Sequence, residues 1–585
     1  MTLSILSTLI IVIGLVLSLY RGWVRPSLAF LGVAFLFILL QIIQIEDLLL
    51  GLANKQIILI FLLIILTSGI QQNLGKGFFF SVFQKNLSAF QFRLRMMLTV
   101  SSLSSVLNNT PVVAFMIPFV KNWAESNNYS ASKFLIPLSF ATILGGMITL
   151  IGTSTNLVLN GLIIQSGLPS LLFSDFLYLG LIVAFFGIIY LTIFSEALLP
   201  NHTASKAKVL KDLHEYLVET RIRPDSPLIG KTIEEAGLRH LKELFLVELK
   251  RGDRVIPAVS SERLLQANDY LFFAGNTNAI LNLINQKYGL ELPEESHIQS
   301  NGFSSMTEAV IPSGSVLAGS TLKQLNFRDR FKASVISVYR KGEKVKENLG
   351  ETQLKEGDLL LLLCAEDFEK LVSSKDLISL TKSGEIEGAF SFKKNLPSIL
   401  GISVLLLGIF GAMDLFIAAL IGIVFMLLFR VINLNQVREA IDLDLLTILV
   451  SALAIGVAIQ KSGTSGFLVE NLSLLLEGKS PLLGISILFI VTLGLTSLIT
   501  NAAAVSIMFP IAYELGMQSG LPLTPFFVTI AFAASADFMT PIGYQTNLMV
   551  FGPGNYRFAD YTKIGLPLTL IYGILVISFI HFYYF

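Results

Sequence analysis

The sequence predicts a polytopic α-helical membrane protein made of two inverted repeats with broken helices and two re-entrant hairpins, plus a soluble α/β (α+β) insert between the repeats. Three observations carry this. Of 585 residues, 53% are hydrophobic and 14% charged, where a soluble domain carries roughly 25%, and the mean hydropathy is +0.71. The charge is concentrated, with 27 of the 42 Lys and Arg and 27 of the 41 Asp and Glu in residues 201–395. The two flanking blocks, 1–200 and 396–585, are nearly charge-free and share polar motifs at a fixed offset.

A spanning helix needs ~20 mostly apolar residues. Runs near 4–20, 26–45, 56–72, 134–164 and 175–199, then 397–411, 414–430, 444–460, 524–552 and 563–583, are read as ten spans, several of them short. Two further stretches, 97–120 and 484–515, contain polar clusters and a proline and are read as hairpins that return to their own side. With the insert in the cytoplasm, Arg21, Arg25, Lys76, Lys85, Arg93, Arg95, Lys121 and Lys133 fall in inner loops of the first block, and only Lys55 outside. In the second block Lys393, Lys394, Arg430, Arg438, Arg557 and Lys563 fall inside, Lys461 and Lys479 outside. The positive-inside bias supports this arrangement. It places both termini outside the cell's inner (plasma) membrane.

Composition also excludes function classes. A net charge of +1 gives no basic field for a nucleic acid. One cysteine, Cys364, allows no intramolecular disulfide, and His202, His214, His240 and His297 are scattered without metal-ligand spacing. The start of the chain lacks the basic residues and small-residue cleavage site of a signal peptide, so its first apolar run is expected to be retained. No nucleophile–base or metal constellation marks the spans as an enzyme.

The repeat is specific. SSVLNNTPVVAFMIPFV (104–120) aligns with SLITNAAAVSIMFPIA (497–512), pairing Asn109 with Asn501 and Pro118 with Pro510 at an offset of 392. IGTSTNLVLNG (151–161) aligns with IGYQTNLMVFG (542–552). Five crossings separate equivalent points, so the copies run in opposite senses. Gly145, Gly146, Gly152, Thr153, Ser154, Thr155 and Asn156 interrupt one apolar run, and Thr540, Pro541, Gly543, Gln545, Thr546 and Asn547 the other. Backbone released by such breaks needs a protein or water partner at membrane depth. Freed carbonyls can ligate a cation, and freed helix N-termini with side-chain donors can hold an anion. Matched breaks in inverted halves point to the midplane site of a secondary transporter. Asp537 stands apart, as a carboxylate in a span with no counterpart in the first block, where Gly145-Gly146 aligns. A coupling role and a helix-pairing role both remain open for it.

These motifs, with TPIGYQTNLMVFGPGNYRF as the most distinctive string, resemble the divalent anion:sodium symporter family, in particular its sulfate-permease-like members. The resemblance implies a homodimer with a scaffold domain and an elevator-like transport domain carrying co-transported sodium ions. By position it implies sodium ligands at Ser104, Asn108, Asn109 and Gly152 and at Thr496, Ile499, Asn501 and Gly543. It places the anion between Asn109-Thr110, Thr153-Ser154, Asn501-Ala502 and Tyr544-Gln545. The tips read Asn-Asn-Thr and Thr-Asn-Ala, where the family's dicarboxylate pattern has Ser-Asn-Thr twice. One hydroxyl is missing at Ala502, and no Arg or Lys lies in the motifs. A compact divalent oxyanion such as sulfate fits better than a dicarboxylate. Sodium- or proton-coupled di/tricarboxylate uptake, an arsenite-type efflux permease and a TrkA-C-gated ion channel are the alternatives; the channel lacks a T-V-G-Y-G-like filter.

The insert has its own repeat. SPLIGKTIEEAGLRHLKELFLVELKRGDRVI (226–256) resembles SVLAGSTLKQLNFRDRFKASVISVYRKGEKV (315–345). Each copy reads as strand, helix, strands joined by a charged Gly turn, then helix. The pattern resembles a tandem of TrkA-C (RCK C-terminal) domains over 220–290 and 308–375. Such modules dimerise, and some bind nucleotides or cyclic dinucleotides. No phosphate-cradling Gly loop is present here, so a purely structural dimerisation module is equally open.

Overall fold

The computed structural model describes residues 2–585 apart from short internal stretches and the longer segments 70–86, 202–216, 276–288, 294–305 and 380–391. Lys76, Lys85, Arg430, Arg438, Lys479 and the four insert histidines lie outside the described residues.

The first block contains α1 (Leu3–Arg21), α2 (Pro26–Leu39), α3 (Ile45–Leu52), the pair α4 (Ala89–Ser104) and α5 (Asn109–Ser126), the interrupted pair α6 (Leu135–Gly146) and α7 (Ser154–Gln165), and α8 (Phe173–Leu198). The second contains α9 (Phe392–Ile409), α10 (Leu415–Leu428), α11 (Leu443–Lys461), α12 (Thr464–Leu476), α13 (Pro481–Thr496), α14 (Asn501–Ser519), α15 (Thr524–Ser535), α16 (Gln545–Phe551) and α17 (Phe558–Tyr584). The blocks interlock: α14 packs on α7, α16 on α5 and α6, and α17 on α8.

Two of the ten expected spans divide where the sequence marks a break. Among the described residues three helices are long and apolar enough to cross a bilayer, Ile45–Leu66, Phe173–Leu198 and Phe558–Tyr584, with a fourth if the bent pair Leu446–Lys461 and Thr464–Asn471 is one span, and seven shorter apolar ones have 10–17 residues. Runs 134–164 and 524–552 each divide in two, because Gly145-Gly146 and Pro541-Gly543 release the helix ladder there. Run 26–45 ends at Leu39; helix resumes at Lys55, where run 56–72 is expected to start, and an unexpected short helix precedes it from Ile45. A reciprocal cap starts this short helix, in which the Gln44 amide donates to Asp47 Oδ2 at 2.9 Å.

Both hairpins also begin earlier than expected, at Ala89 and Pro481. A Ser88–Gln91 capping box nucleates α4, so Arg93 and Arg95 are helical rather than looped. Arg93 is buried, paired with Glu196 and capping the Thr192 carbonyl oxygen at 3.4 Å. Two exposed ion pairs, Lys55–Asp414 (2.8 Å) and Lys461–Asp47 (2.7 Å), join residues that the charge bias puts on one side. The outer faces stay apolar and exposed, as at Leu181, Phe185, Ile189 and Ile193 along α8. A water-facing surface would not carry such a stripe.

The insert forms two five-stranded antiparallel sheets of identical order. The first has β1 (Leu217–Ile222), β2 (Leu244–Arg251), β3 (Arg254–Pro257), β4 (Tyr270–Gly275) and β5 (Leu290–Glu291), ordered β3-β2-β4-β1-β5. The second has β6 (Met306–Val310), β7 (Ala333–Arg340), β8 (Glu343–Lys344), β9 (Leu359–Cys364) and β10 (Ile378–Ser379), ordered β8-β7-β9-β6-β10. Arg251 clamps Asp269 at 2.7 and 2.8 Å, and Arg340 clamps Asp358 at 2.8 and 2.7 Å, the same contact made twice. The first expected helix is a run of turns over the described residues of the first copy, where Gly230 and Gly237 hold positive φ, while the second copy has a short helix there, Phe327–Phe331.

The second sheet docks on the membrane block. Val310 and Ile378 belong to the same buried apolar cluster as the membrane helices. Lys121 of α5 pairs with Glu308 of β6 in a largely buried contact. A Cβ on Gly357 would lie 2.8 Å from Leu548 of α16, and one on Gly552 would lie 3.3 Å from both the Gly357 carbonyl oxygen and Leu359 Cβ. Only glycine allows these backbones to meet.

Candidate functional site

Each hairpin turn places an asparagine at a helix start, where backbone amides have no intrahelical partner. In the first repeat the Ser104 hydroxyl donates to Asn109 Oδ1 and lies 2.9 Å from the Thr142 carbonyl oxygen. In the second the Thr496 hydroxyl lies 2.8 Å from Asn501 Oδ1 and 2.6 Å from the Ala534 carbonyl oxygen. All three pairs are 392 residues apart. The two clusters are one construction made twice.

The second cluster admits two orientations of its amide. The outer end of the Asn501 amide faces the Ala534 and Gly543 carbonyl oxygens at 3.2 Å each. With its NH2 turned toward them, the amide donates to both. With its oxygen turned toward them, oxygens alone converge on one point, which is stable only around a cation. A compact cation with neutral oxygen ligands fits this donor set. In the first cluster Gly146 abuts the Asn109 amide, where a Cβ would fall 2.7 Å from Oδ1, and Gly152 presses on the Gly146 carbonyl at 2.4 Å by the same measure.

The breaks are braced alike. Gly152 N donates to Thr149 Oγ1 at 3.0 Å and Asn156 Nδ2 to the Thr149 carbonyl at 3.1 Å. Gly543 N donates to Thr540 Oγ1 at 3.4 Å and Asn547 Nδ2 to the Thr540 carbonyl at 3.2 Å. The halves differ at the other end of these amides. Ser139 donates to Asn547 Oδ1 at 2.7 Å, while the buried Asn156 Oδ1 has no hydrogen-bond partner.

Between the clusters the N-termini of α5, α7 and α14 converge, beginning at Asn109, Ser154 and Asn501. Tyr544 reaches across: its hydroxyl accepts from Asn109 Nδ2 at 2.6 Å and lies 3.4 Å from Thr153 Oγ1. The Thr110 hydroxyl donates to Gln545 Oε1 at 2.9 Å. Thus Asn109, Thr110, Thr153, Tyr544 and Gln545, drawn from both repeats, form one polar group. Its donors are neutral, and among the described residues no Lys, Arg or His hydrogen-bonds to it. Helix N-termini plus neutral donors suit an anion.

The remaining expected residues are peripheral. Asn108 is the residue before α5, and its side chain does not cap that helix. Ile499 is buried and apolar, so only its backbone could serve a cation. Ala502 occupies the position of Thr110 without its hydroxyl, and no side-chain hydrogen bond reaches Ser154 among the described residues. The Thr142 and Ala534 carbonyls, and the bracing Thr149, were not expected from the sequence. Each carbonyl lies 38 residues after its hydroxyl partner, so extending the repeat alignment would have paired them.

The interlocked apolar helices and this paired polar centre define a membrane transporter rather than an enzyme. Residues 8–525 and 405–585 match the citrate transporter family, and the chain belongs to that family. A Chlamydomonas reinhardtii protein provisionally named a sulfur deprivation response regulator is 33% identical over 587 residues, covering 96% of this chain and 99% of the relative. An uncharacterized transporter of Synechocystis is 33% identical, covering 80% and 78%. Sodium/sulfate cotransporter 2 of Chlamydomonas reinhardtii is 26% identical over 385 residues, 63% of this chain and 44% of that protein.

Proposed function

We propose that the chain is a sodium-coupled symporter of a compact divalent oxyanion, sulfate foremost, working as a homodimer by elevator-type alternating access. Sodium ions occupy the Ser104–Asn109 and Thr496–Asn501 clusters, with Gly152 and Gly543 supplying backbone oxygen. The anion sits between Asn109, Thr110, Thr153, Ser154, Asn501, Ala502, Tyr544 and Gln545. The observation that carries this is the duplicated oxygen cluster flanking one neutral donor group. Two bound cations supply the positive charge that the side chains lack. Relatives named sodium/sulfate cotransporters support sulfate, although the family as a whole takes its name from citrate. The missing hydroxyl at Ala502 weighs against a substrate with two carboxylates.

In this reading the protein lies in the plasma membrane with its insert cytoplasmic and both termini external. The insert is a TrkA-C tandem that regulates transport, and its docking on α5 and α16 supports that role. A nucleotide or cyclic dinucleotide is the class of effector such a module would take.

Labelled sulfate uptake into proteoliposomes, with sodium and pH gradients imposed separately, tests the reading. Uptake should follow sodium and compete poorly with citrate or succinate. Uptake driven by a pH gradient and indifferent to sodium would overturn it.

A further inference from the structure

Asp537 is the only fully buried carboxylate of the membrane blocks among the described residues. The buried acids of the insert show what is missing around it: Asp269 and Asp358 each hold an arginine. Asp537 receives the Thr540 hydroxyl, at 3.2 and 3.3 Å from its two oxygens, and the Thr540 backbone amide, and no Lys, Arg or His pairs with it among the described residues. A buried charge without a counter-charge is costly, so such a group marks a place where a charge is to be met.

What it faces is the second oxygen cluster. A Cβ on Gly543 would fall 1.9 Å from Asp537 Oδ2 and 2.8 Å from the Thr496 carbonyl oxygen. The carboxylate therefore lies flat against the peptide whose carbonyl helps to surround the Asn501 amide. Thr540 links the same parts, giving its hydroxyl to Asp537 and accepting from Gly543 N. In the first repeat the equivalent place is Gly145, where a Cβ would fall 2.3 Å from the Ser101 carbonyl oxygen, leaving no room for a side chain. The two cation clusters are alike in neutral oxygens and unlike in charge.

We propose that Asp537 is the fixed charge of the second cation cluster: it makes that cluster the tighter of the two and makes anion binding conditional on its being filled. The proposal rests on the sodium-symport reading. While the second cluster is empty, the carboxylate's field falls on the donor group at Tyr544 and Asn109 and opposes an anion there. A cation at Asn501 cancels that field. The first cluster, lacking a carboxylate, cannot impose this order.

The test uses the purified full-length protein in lipid nanodiscs, with sodium exchanged against potassium at constant ionic strength. Thermal unfolding without sulfate reports sodium binding, and equilibrium binding of labelled sulfate reports the anion. Sodium alone should stabilise the wild type. Asp537→Asn should raise the half-effective sodium concentration by roughly tenfold. The same variant should bind sulfate in the absence of sodium better than the wild type does. A purely structural role predicts neither change, still less the two together. Asn109→Ala should keep the tight sodium response and Asn501→Ala should lose it, a contrast that decides the matter even if Asp537→Asn fails to fold. A wild-type sodium response that Asp537→Asn leaves unaltered, or that both alanine variants lose equally, would overturn the role of Asp537 alone. No sodium response in the wild type would overturn the symport reading itself.

Discussion

The Ser104–Asn109–Thr142 and Thr496–Asn501–Ala534 clusters share the same spacing, carbonyl partners and bracing of the broken helix behind. They differ where function requires a direction. The first tip carries Thr110, which is tied to Gln545; the second carries Ala502. The second has a buried carboxylate behind it, where the first has Gly145. The geometry recurs in the two blocks, and in the proposed reading a few differences decide which cluster faces the anion and which lies beside a fixed charge.

The largest effects are expected at the two asparagines. Asn109→Asp or Asn501→Asp keeps an oxygen for the cation but places a full charge beside the anion. Two like charges ~4 Å apart at an effective dielectric of ~20 repel by ~4 kcal/mol, roughly a thousandfold in affinity. Both variants should abolish sulfate uptake while still expressing and inserting. Near-normal apparent affinity in either would break the pairing of the clusters around one anion.

The glycines sharpen the comparison at smaller magnitude. Gly543→Ala drives a methyl into Asp537, and Gly146→Ala drives one into the Asn109 amide. Overpacking of this kind costs ~1–3 kcal/mol, with Gly543→Ala the worse of the two because its clash is closer. Unfolding midpoints compared in sodium and in potassium should show Gly543→Ala losing most of its sodium-dependent stabilisation.

Thr110→Ala makes the first tip match the second. Loss of one hydrogen bond of ~1 kcal/mol should weaken sulfate about fivefold, measured as KM at saturating sodium. An unchanged KM would show that the Thr110–Gln545 bond closes the helices together without touching substrate.

The smallest effect lies at the insert. Deleting residues 205–390 should leave both repeats inserted, since no span is broken, but it uncovers Leu548 and Gly552. Lys121→Ala removes one anchor of the same contact and should change the uptake rate about twofold, in line with the modest worth of a single ion pair. Loss of membrane insertion on deletion would make the insert a folding requirement instead of a regulator.

The legible parts of the molecule are those written in side chains and repeated. Asn109, Asn501, Gly152, Gly543 and Tyr544, which the structure places at the two hairpin tips and breaks, stand out in the sequence because polar and glycine residues are conspicuous in apolar runs. The Thr142 and Ala534 carbonyls were missed because a backbone ligand leaves no mark on residue type. The buried Arg93 was read as a loop cation because its partner Glu196 is 103 residues away. Helix α3 was missed and the start of α4 misplaced because charged or polar caps look like loops until their reciprocal hydrogen bonds are seen. The contact of Gly357 with Leu548 joins surfaces 191 residues apart, which no local pattern encodes.

That last contact has a thermodynamic consequence. The docking of β6 and β9 on α5 and α16 is one equilibrium shared by two places on the molecule: the insert and the polar centre carried by those same helices. If an effector of the insert alters the affinity of the polar centre for its ions by some factor, those ions alter the effector's affinity by the same factor. In the proposed reading, sodium and sulfate are then signals that the insert can read, so that a protein built to move an ion would also report its abundance on the side where the insert lies.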